Sequence, residues 1–290
     1  MTIPVMPNPQ KVTVRKGVYA GGLSSLRVSP DALKEECVAH KMRALGATAV
    51  EDRALPPHSL CAGDGDARAL APPKYAEAYA LDITPRGIAL RGSDAGGVYY
   101  GLVTLGQLLR QNALLPAARV LDWPAFPVRY HHDDISRRQV STLDDFKNTV
   151  RLLAEYKMNH YTLYIEDMLH LKSFPDIGAD RGRLTREEVR AIVREGELHH
   201  VTVFPTFTLI GHCENLLAMP KYRHLGREVW QSMSSLDPCK PAVRAFLKKV
   251  IADVCELFPS PYFHMGFDET QGLSCKDFLS HANWCAEELA

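Results

Sequence analysis

Two neighbouring carboxylates, Asp268 and Glu269, stand at the end of the aromatic-rich stretch PYFHMGFDET, residues 261–270. Paired acids are equipment for general acid–base chemistry, with glycoside hydrolysis as one candidate. Consecutive residues of a regular strand point to opposite faces, so this pair shares a pocket only where the strand leaves its pleat; Gly266 permits such a break. Adjacent acids fit poorly with the ordinary retaining arrangement, whose carboxyls flank the scissile bond about 5–5.5 Å apart. They suit a substrate that supplies its own nucleophile, where one carboxylate orients that nucleophile and the other shuttles the proton. The competing structural reading makes one acid a helix cap and leaves the other solvated.

Three further strand-like runs end in polar groups. VRYHHDDIS leads to Asp134, Ser136 and Arg137, HYTLYIED to Glu166 and Asp167, and VTVFPTFTL to Gly211 and His212. Amphipathic helices alternate with them: TLDDFKNTVRLLAEYK and TREEVRAIVREGELHH open with capping-box spacing at Thr142/Asp145 and Thr185/Glu188. PAVRAFLKKVIADVCELF places Pro241 at a first helical position, and a last helix starts near Lys276. Four strand–helix units predict a parallel sheet with right-handed crossovers, either doubly wound or part of a barrel that needs about eight units. No glycine-rich phosphate fingerprint or Walker loop follows any strand, which weighs against nucleotide binding. Because sites assemble at the carboxyl ends of parallel strands, the four polar groups are expected to converge. The HHDD run at 131–134 invites a metal, and a metal-dependent hydrolase barrel stands as a weaker alternative; its two histidines would face opposite ways on a strand.

The first part reads as a smaller mixed unit. QKVTVRKGVYA alternates like a strand, and SPDALKEECVAHKMRALG puts Leu33, Cys37 and Met42 near one helical face ended by Gly46. AYALDITPRGIALRGSD gives a hairpin turning at Pro85-Arg86-Gly87, GGVYYGLVTLGQLLRQ an apolar helix to cover it, and LDWPAFPVR a proline-bearing linker. With 290 residues, 46% of them hydrophobic, the chain can bury a sizeable core. Its 34 basic and 34 acidic residues create no net field towards nucleic acid or an anionic membrane. The N-terminus MTIPVMPNPQKV lacks the charge and apolar core of a signal peptide, and no apolar run is long enough for a bilayer span. Seven scattered cysteines without zinc spacing read as buried, reduced thiols, so a cytoplasmic location is expected.

In this order and spacing the motifs resemble glycoside hydrolase family 20, the β-N-acetylhexosaminidases. YFHMGFDET is similar to the family's H-x-G-G-D-E on strand 4, with Phe267 in place of the second glycine. DISR at 134–137 resembles D-x-S-R on strand 1, KMN at 157–159 opens the strand 2 motif, Asp167 falls on the first acid of its usual pair, and GH at 211–212 ends the strand 3 motif. The run LFPSPYFH is close to the family's lead into strand 4, and the first part is similar to its small non-catalytic domain. The resemblance implies an α/β chain: a small α+β N-terminal domain at 1–125, then at 126–290 a (β/α)8 TIM barrel of which about the first four units are present. It implies a retaining exo-glycosidase that removes terminal β-linked N-acetylhexosamine by substrate-assisted catalysis, with no cofactor, metal, nucleic acid or membrane partner. Asp268 would orient the 2-acetamido group and Glu269 act as acid and base. His212 and Asp167 would form a relay to Glu269, and Arg137 would hold sugar hydroxyls; Arg138 would be a surface charge. The sequence departs from the pattern at Thr206 and Thr208, where both strand 3 acids are lost, at Met168 and at Phe267, which marks a divergent branch. Strands 5 to 8 have no counterpart, so self-association through an open half barrel and poor activity are expected. A catalytically silent carbohydrate-binding or interaction module is the alternative.

Overall fold

A computed structural model describes residues 3–111, 114–137, 139–229, 232–270 and 272–290, with the backbone alone at 228–229 and 232–234; Arg138 lies outside the described residues. Contacts divide the chain into two compact units: Met1–Arg129 with Val150–Asn159 and Glu197–Val201, and Tyr130–Thr149 with His160–Gly196 and Thr202–Ala290.

Among the described residues the first unit is built on seven strands and three helices. These are β1 (Lys11–Tyr19), β2 (Ser25–Val28), α1 (Pro30–Lys34), α2 (Glu36–Ala44), β3 (Thr48–Glu51), β4 (Ser59–Gly63), β5 (Tyr79–Thr84), β6 (Gly87–Gly92), α3 (Ala95–Gln111) and β7 (Leu115–Asp122). The sheet order is β1-β7-β5-β6-β4-β2-β3, antiparallel except where β2 meets β3. The hairpin turns through Pro85 and Arg86, with Thr84 opposite Gly87. Helix α3 packs on β5 and β6 and is buried from Gly96 to Leu108, which explains its near-continuous apolar sequence. Leu81, Ile83, Ile88 and Leu90 are fully buried in this unit. Each such side chain contributes roughly 1.5–3 kcal/mol by leaving water.

Two features differ from the sequence expectation here. The helix expected from Ser29 to Gly46 is two, because Glu35 adopts an extended backbone (ψ 113°) between α1 and α2 and leaves Leu33 half-buried. Leu121 and Asp122, assigned above to the linker, complete β7. Asp122 has a structural reason to be ordered: its carboxylate accepts from Lys157 Nζ at 2.7 Å and from the Tyr79 hydroxyl at 3.0 Å. A second cluster surrounds Glu77, which accepts from Arg129 at 2.7 Å and Asn159 at 3.0 Å and meets His200 Nε2 at 3.1 Å. Lys157 and Asn159 of the KMN motif thus tie these two clusters into the first unit.

The second unit opens with β8 (Tyr130–Asp134), α4 (Leu143–Glu155) up to Thr149, β9 (His160–Tyr164), α5 (Arg186–Leu198) up to Gly196, and β10 (Thr202–Thr206), the ends of α4 and α5 being counted with the first unit. It continues with α6 (Glu214–Ala218), β11 (Gly226–Val229), β12 (Ser232–Leu236), α7 (Pro241–Cys255) and α8 (Cys275–Leu289). Strands β10, β9 and β8 form a parallel sheet in that order, and β11 pairs antiparallel with β12. Both capping boxes form: Thr142 Oγ1 accepts from the Asp145 amide and Thr185 Oγ1 from the Glu188 amide, each at 3.2 Å, while the acids accept from the threonine amides. Pro241 begins α7, whose Val243, Phe246, Leu247, Val250 and Val254 are buried.

The fourth strand, expected over residues 261–268, is reduced to one parallel bridge between Thr206 and His264. The His264 amide donates to Pro205 O, and Phe207 and Leu209 donate to His264 O and Met265 O. Pro205 has no N–H to continue the ladder downwards, and Gly266 at φ +55° turns the chain out of extended geometry above. The run is therefore cut short from both ends while still lying beside β10.

Of the seven free thiols, Cys37, Cys61, Cys213 and Cys285 are buried, whereas Cys239, Cys255 and Cys275 are exposed, contrary to an all-buried set. Among the described residues no helix is long and apolar enough to cross a membrane.

Candidate active site

Register places the site. Asp134, Tyr164 and Thr206, the last residues of β8, β9 and β10, lie level across the sheet, so the segments that follow emerge along one rim. Asp134 fixes the first segment by accepting from the amide and hydroxyl of Ser136 at 2.9 and 2.7 Å. Arg137 then donates to Glu166 Oε1 at 2.5 Å, lies 3.7 Å from Asp134 Oδ2 and spreads over the Tyr164 ring, 5.4 Å from its centroid. Burial pushes the Glu166 carboxyl up from its ordinary value, and the Arg137 guanidinium opposes that shift.

The second segment also carries Asp167, which is buried. Its carboxylate accepts from Arg181, at 2.6 Å to Oδ2, and from Asn215 at 3.4 Å; Arg181 also reaches the Ser136 carbonyl at 3.3 Å. His212 faces the acid pair instead, with Nε2 3.3 Å from Asp268 Oδ2 and 3.4 Å from Glu269 Oε2. The structure thus brings His212, Asp268 and Glu269 together and gives Arg137 and Asp167 other partners, Glu166 and Arg181. Asp167 and His212 nevertheless line one cavity with Glu166, Thr208 and Asn215.

Local backbone explains how two consecutive acids reach one imidazole. They lie beyond Gly266, where regular pairing has ended, and Glu269 takes a left-handed conformation at φ +48°. Gly211 admits their chain closely, since a β-carbon there would stand 2.6 Å from the Asp268 carbonyl oxygen. Glu166 and His212 are left-handed as well, at φ +47° and +50°. Such conformations cost on the order of 1 kcal/mol or more for residues with a β-carbon.

An open cleft of about 460 Å³ is lined by Ser136, Arg137, Glu166, Arg181, His212 and Glu214. That volume lies within the roughly 300–1,000 Å³ usual for small-molecule sites. Chemically, its lining offers forked cationic donors, a buried acceptor and an imidazole whose Nε2 is turned to the Asp268 and Glu269 carboxylates beyond it. The histidines that suggested a metal are engaged with aromatic rings, His131 stacked on Tyr161 and His132 tilted against Tyr164. Among the described residues no group of three or more His, Cys, Asp or Glu is placed to hold a metal ion.

Glu166, Arg181 and Asn215 are site residues that sequence reasoning left without a role. Glu166 was visible as a polar strand end. The other two come from a loop and a short helix, 14 and 48 residues from Asp167, and no spacing connects them to it.

Residues 2–123 match glycosyl hydrolase family 20, domain 2, and residues 126–288 match glycosyl hydrolase family 20, catalytic domain. A β-hexosaminidase of Porphyromonas gingivalis is 31% identical over 230 residues, covering 68% of this chain and 30% of that protein. A β-N-acetylhexosaminidase of Cellulomonas fimi is 28% identical, covering 67% and 44%. The structure of Streptomyces plicatus N-acetyl-β-hexosaminidase in complex with Thio-NAglucal superposes with a TM-score of 0.79 at 23% identity, covering 98% of this chain and 63% of that one. That likeness establishes an α/β fold with a mixed-sheet unit followed by part of a parallel β/α domain. The chain spans between 30% and 45% of the length of the first three curated relatives it matches. Together the two matched regions extend over nearly all 290 residues, and the chain belongs to glycosyl hydrolase family 20.

Proposed function

We propose that this rim is the acid–base portion of a retaining exo-glycosidase site that removes terminal β-linked N-acetylhexosamine by substrate-assisted catalysis. The observation that carries the reading is one imidazole within 3.3 and 3.4 Å of two adjacent carboxylates. The 2-acetamido oxygen attacks the anomeric carbon while Glu269 gives its proton to the departing glycosidic oxygen, leaving an oxazolinium ion. Asp268 orients the acetamido group and balances its growing positive charge. Water then adds to the anomeric carbon, Glu269 takes its proton, and the acetamide is restored with net retention. His212 positions both carboxylates; Asp167, anchored by Arg181, borders the same cavity; Arg137 donates to sugar hydroxyls. The hexosaminidase names of the relatives support this substrate class, as does a structural neighbour from Vibrio harveyi solved in complex with N-acetylglucosamine.

A second reading has its own support. The Asp268 and Glu269 side chains are 56% and 77% exposed, whereas electrostatic catalysis gains from excluding water. The chain by itself would then bind saccharide without efficient turnover. Chromophore release from aryl β-N-acetylglucosaminide and β-N-acetylgalactosaminide separates the readings. Turnover that falls at least about 100-fold in Glu269→Gln supports the glycosidase. Folded protein that binds N-acetylglucosamine but releases no chromophore supports the silent module.

A further inference from the structure

Resting on the saccharide reading above, we propose that Tyr164 and Glu166 join Arg137 in reading one hydroxyl of the bound sugar, the phenol donating to that hydroxyl and Glu166 accepting from it. Tyr164 closes β9 and is 6% exposed; the neighbouring Arg137 guanidinium can only donate to its hydroxyl, and the phenol proton has no acceptor among the described residues. Buried hydroxyls normally find an acceptor, so an unspent phenol proton beside a cleft points to a ligand atom. Its surroundings locate that ligand. The ring lies under the Arg137 guanidinium and edge-on to His212, with 6.3 Å between ring centroids, and both of those residues line the open cleft. Glu166 lines it too; its described hydrogen bond uses Oε1, which leaves Oε2 to accept another.

The chemistry of the three groups is complementary. A sugar hydroxyl both donates and accepts, whereas a guanidinium only donates and a carboxylate only accepts. Arg137 alone would leave the hydroxyl proton without an acceptor. Glu166 supplies one, and Tyr164 adds a directional donor at the end of a rigid strand, where position is better defined than on a loop. The trio therefore distinguishes a correctly placed hydroxyl from its absence or inversion, which makes Tyr164 and Glu166 specificity-determining residues.

The test is an NMR titration of the whole chain with N-acetylglucosamine and with analogues that each lack one hydroxyl. Wild type is expected to prefer the parent sugar over one analogue by about tenfold. In Tyr164→Phe, which keeps the ring packing, and in Glu166→Gln, that ratio is expected to fall towards one. A merely structural change would weaken parent and analogue alike and leave the ratio standing. If wild type shows the preference and Tyr164→Phe retains it, other groups read the hydroxyl and the proposal fails while the glycosidase reading survives. If Tyr164→Phe does not fold, wild type that binds parent and all analogues equally still overturns the proposal. If folded wild type binds no sugar at all, the saccharide reading falls, and this inference with it.

Discussion

Around Glu77 and Lys157 ionised groups face fixed, buried partners; around His212 they face a cleft. Both clusters hold three non-glycine residues in the left-handed region, Glu77, Lys157 and His200 in one and Glu166, His212 and Glu269 in the other. Backbone strain therefore does not mark the candidate site. Closure separates them. The Lys157 and Asp122 side chains are 8% and 10% exposed and bonded to each other, whereas Asp268 and Glu269 stand largely in solvent and the Tyr164 phenol proton has no acceptor among the described residues. The first cluster has completed its hydrogen bonds within the fold; the second has bonding capacity left for a ligand.

The largest effect that would break this contrast concerns the closed cluster. Lys157→Met leaves Asp122 buried without its cation and is expected to cost about 3–5 kcal/mol in urea unfolding of the first unit. A loss below about 1 kcal/mol would show that the pair is not holding this unit together. The effect of pH comes next. Burial alone would raise Glu77, but His200, Arg129 and Asn159 overcome it and bring its pKa to about 2. Burial alone would lower His200, but Cys37 and Glu77 raise it to about 9. Glu77 therefore contributes stability above its ordinary 4.5 that is lost as pH falls towards 2. His200 contributes stability below its ordinary 6.5 that is lost as pH rises towards 9. Thermal melts should show a plateau between these limits. Glu77→Gln should abolish the acid limb and shrink the alkaline one; unchanged limbs would assign them to other groups. The smallest effect belongs to the open cluster. Asp268→Asn is expected to shift unfolding by no more than about 0.5 kcal/mol, because its side chain is largely solvated. A larger loss would mean that the acid pair holds the fold as well.

How much of this could be read beforehand follows from the range of each interaction. The capping boxes at Thr142 and Thr185 and the turn at Pro85-Arg86 are complete within four residues, so spacing revealed them. The KMN residues were visible as a motif, but their partners Asp122, Glu77 and Arg129 lie 28 to 82 residues away, and their role in binding the unit together was not. The polar strand ends were legible because a parallel sheet aligns them. Which of them touch was not, since Arg137 pairs with Glu166 and Asp167 with Arg181 through loop conformations that leave no periodic trace. Extended segments posed a further problem: the fourth looked like a strand by composition, and its pairing was decided by a proline in its neighbour.

Pro205 consequently does more than shorten a ladder. The segment that carries Asp268 and Glu269 is fastened to β10 through a few bonds around His264 and Met265, while β9 and β10 remain continuously paired. A further hold of this segment on the sheet is the Tyr262 ring, edge-on to His160 of β9 and tilted against Phe204 of β10, so a change at Tyr262 is expected to re-aim the acid pair more than it alters the β9–β10 pairing. The acid pair is in that sense a replaceable fitting on a fixed frame, and a divergent branch can alter its reach and angle while keeping the fold.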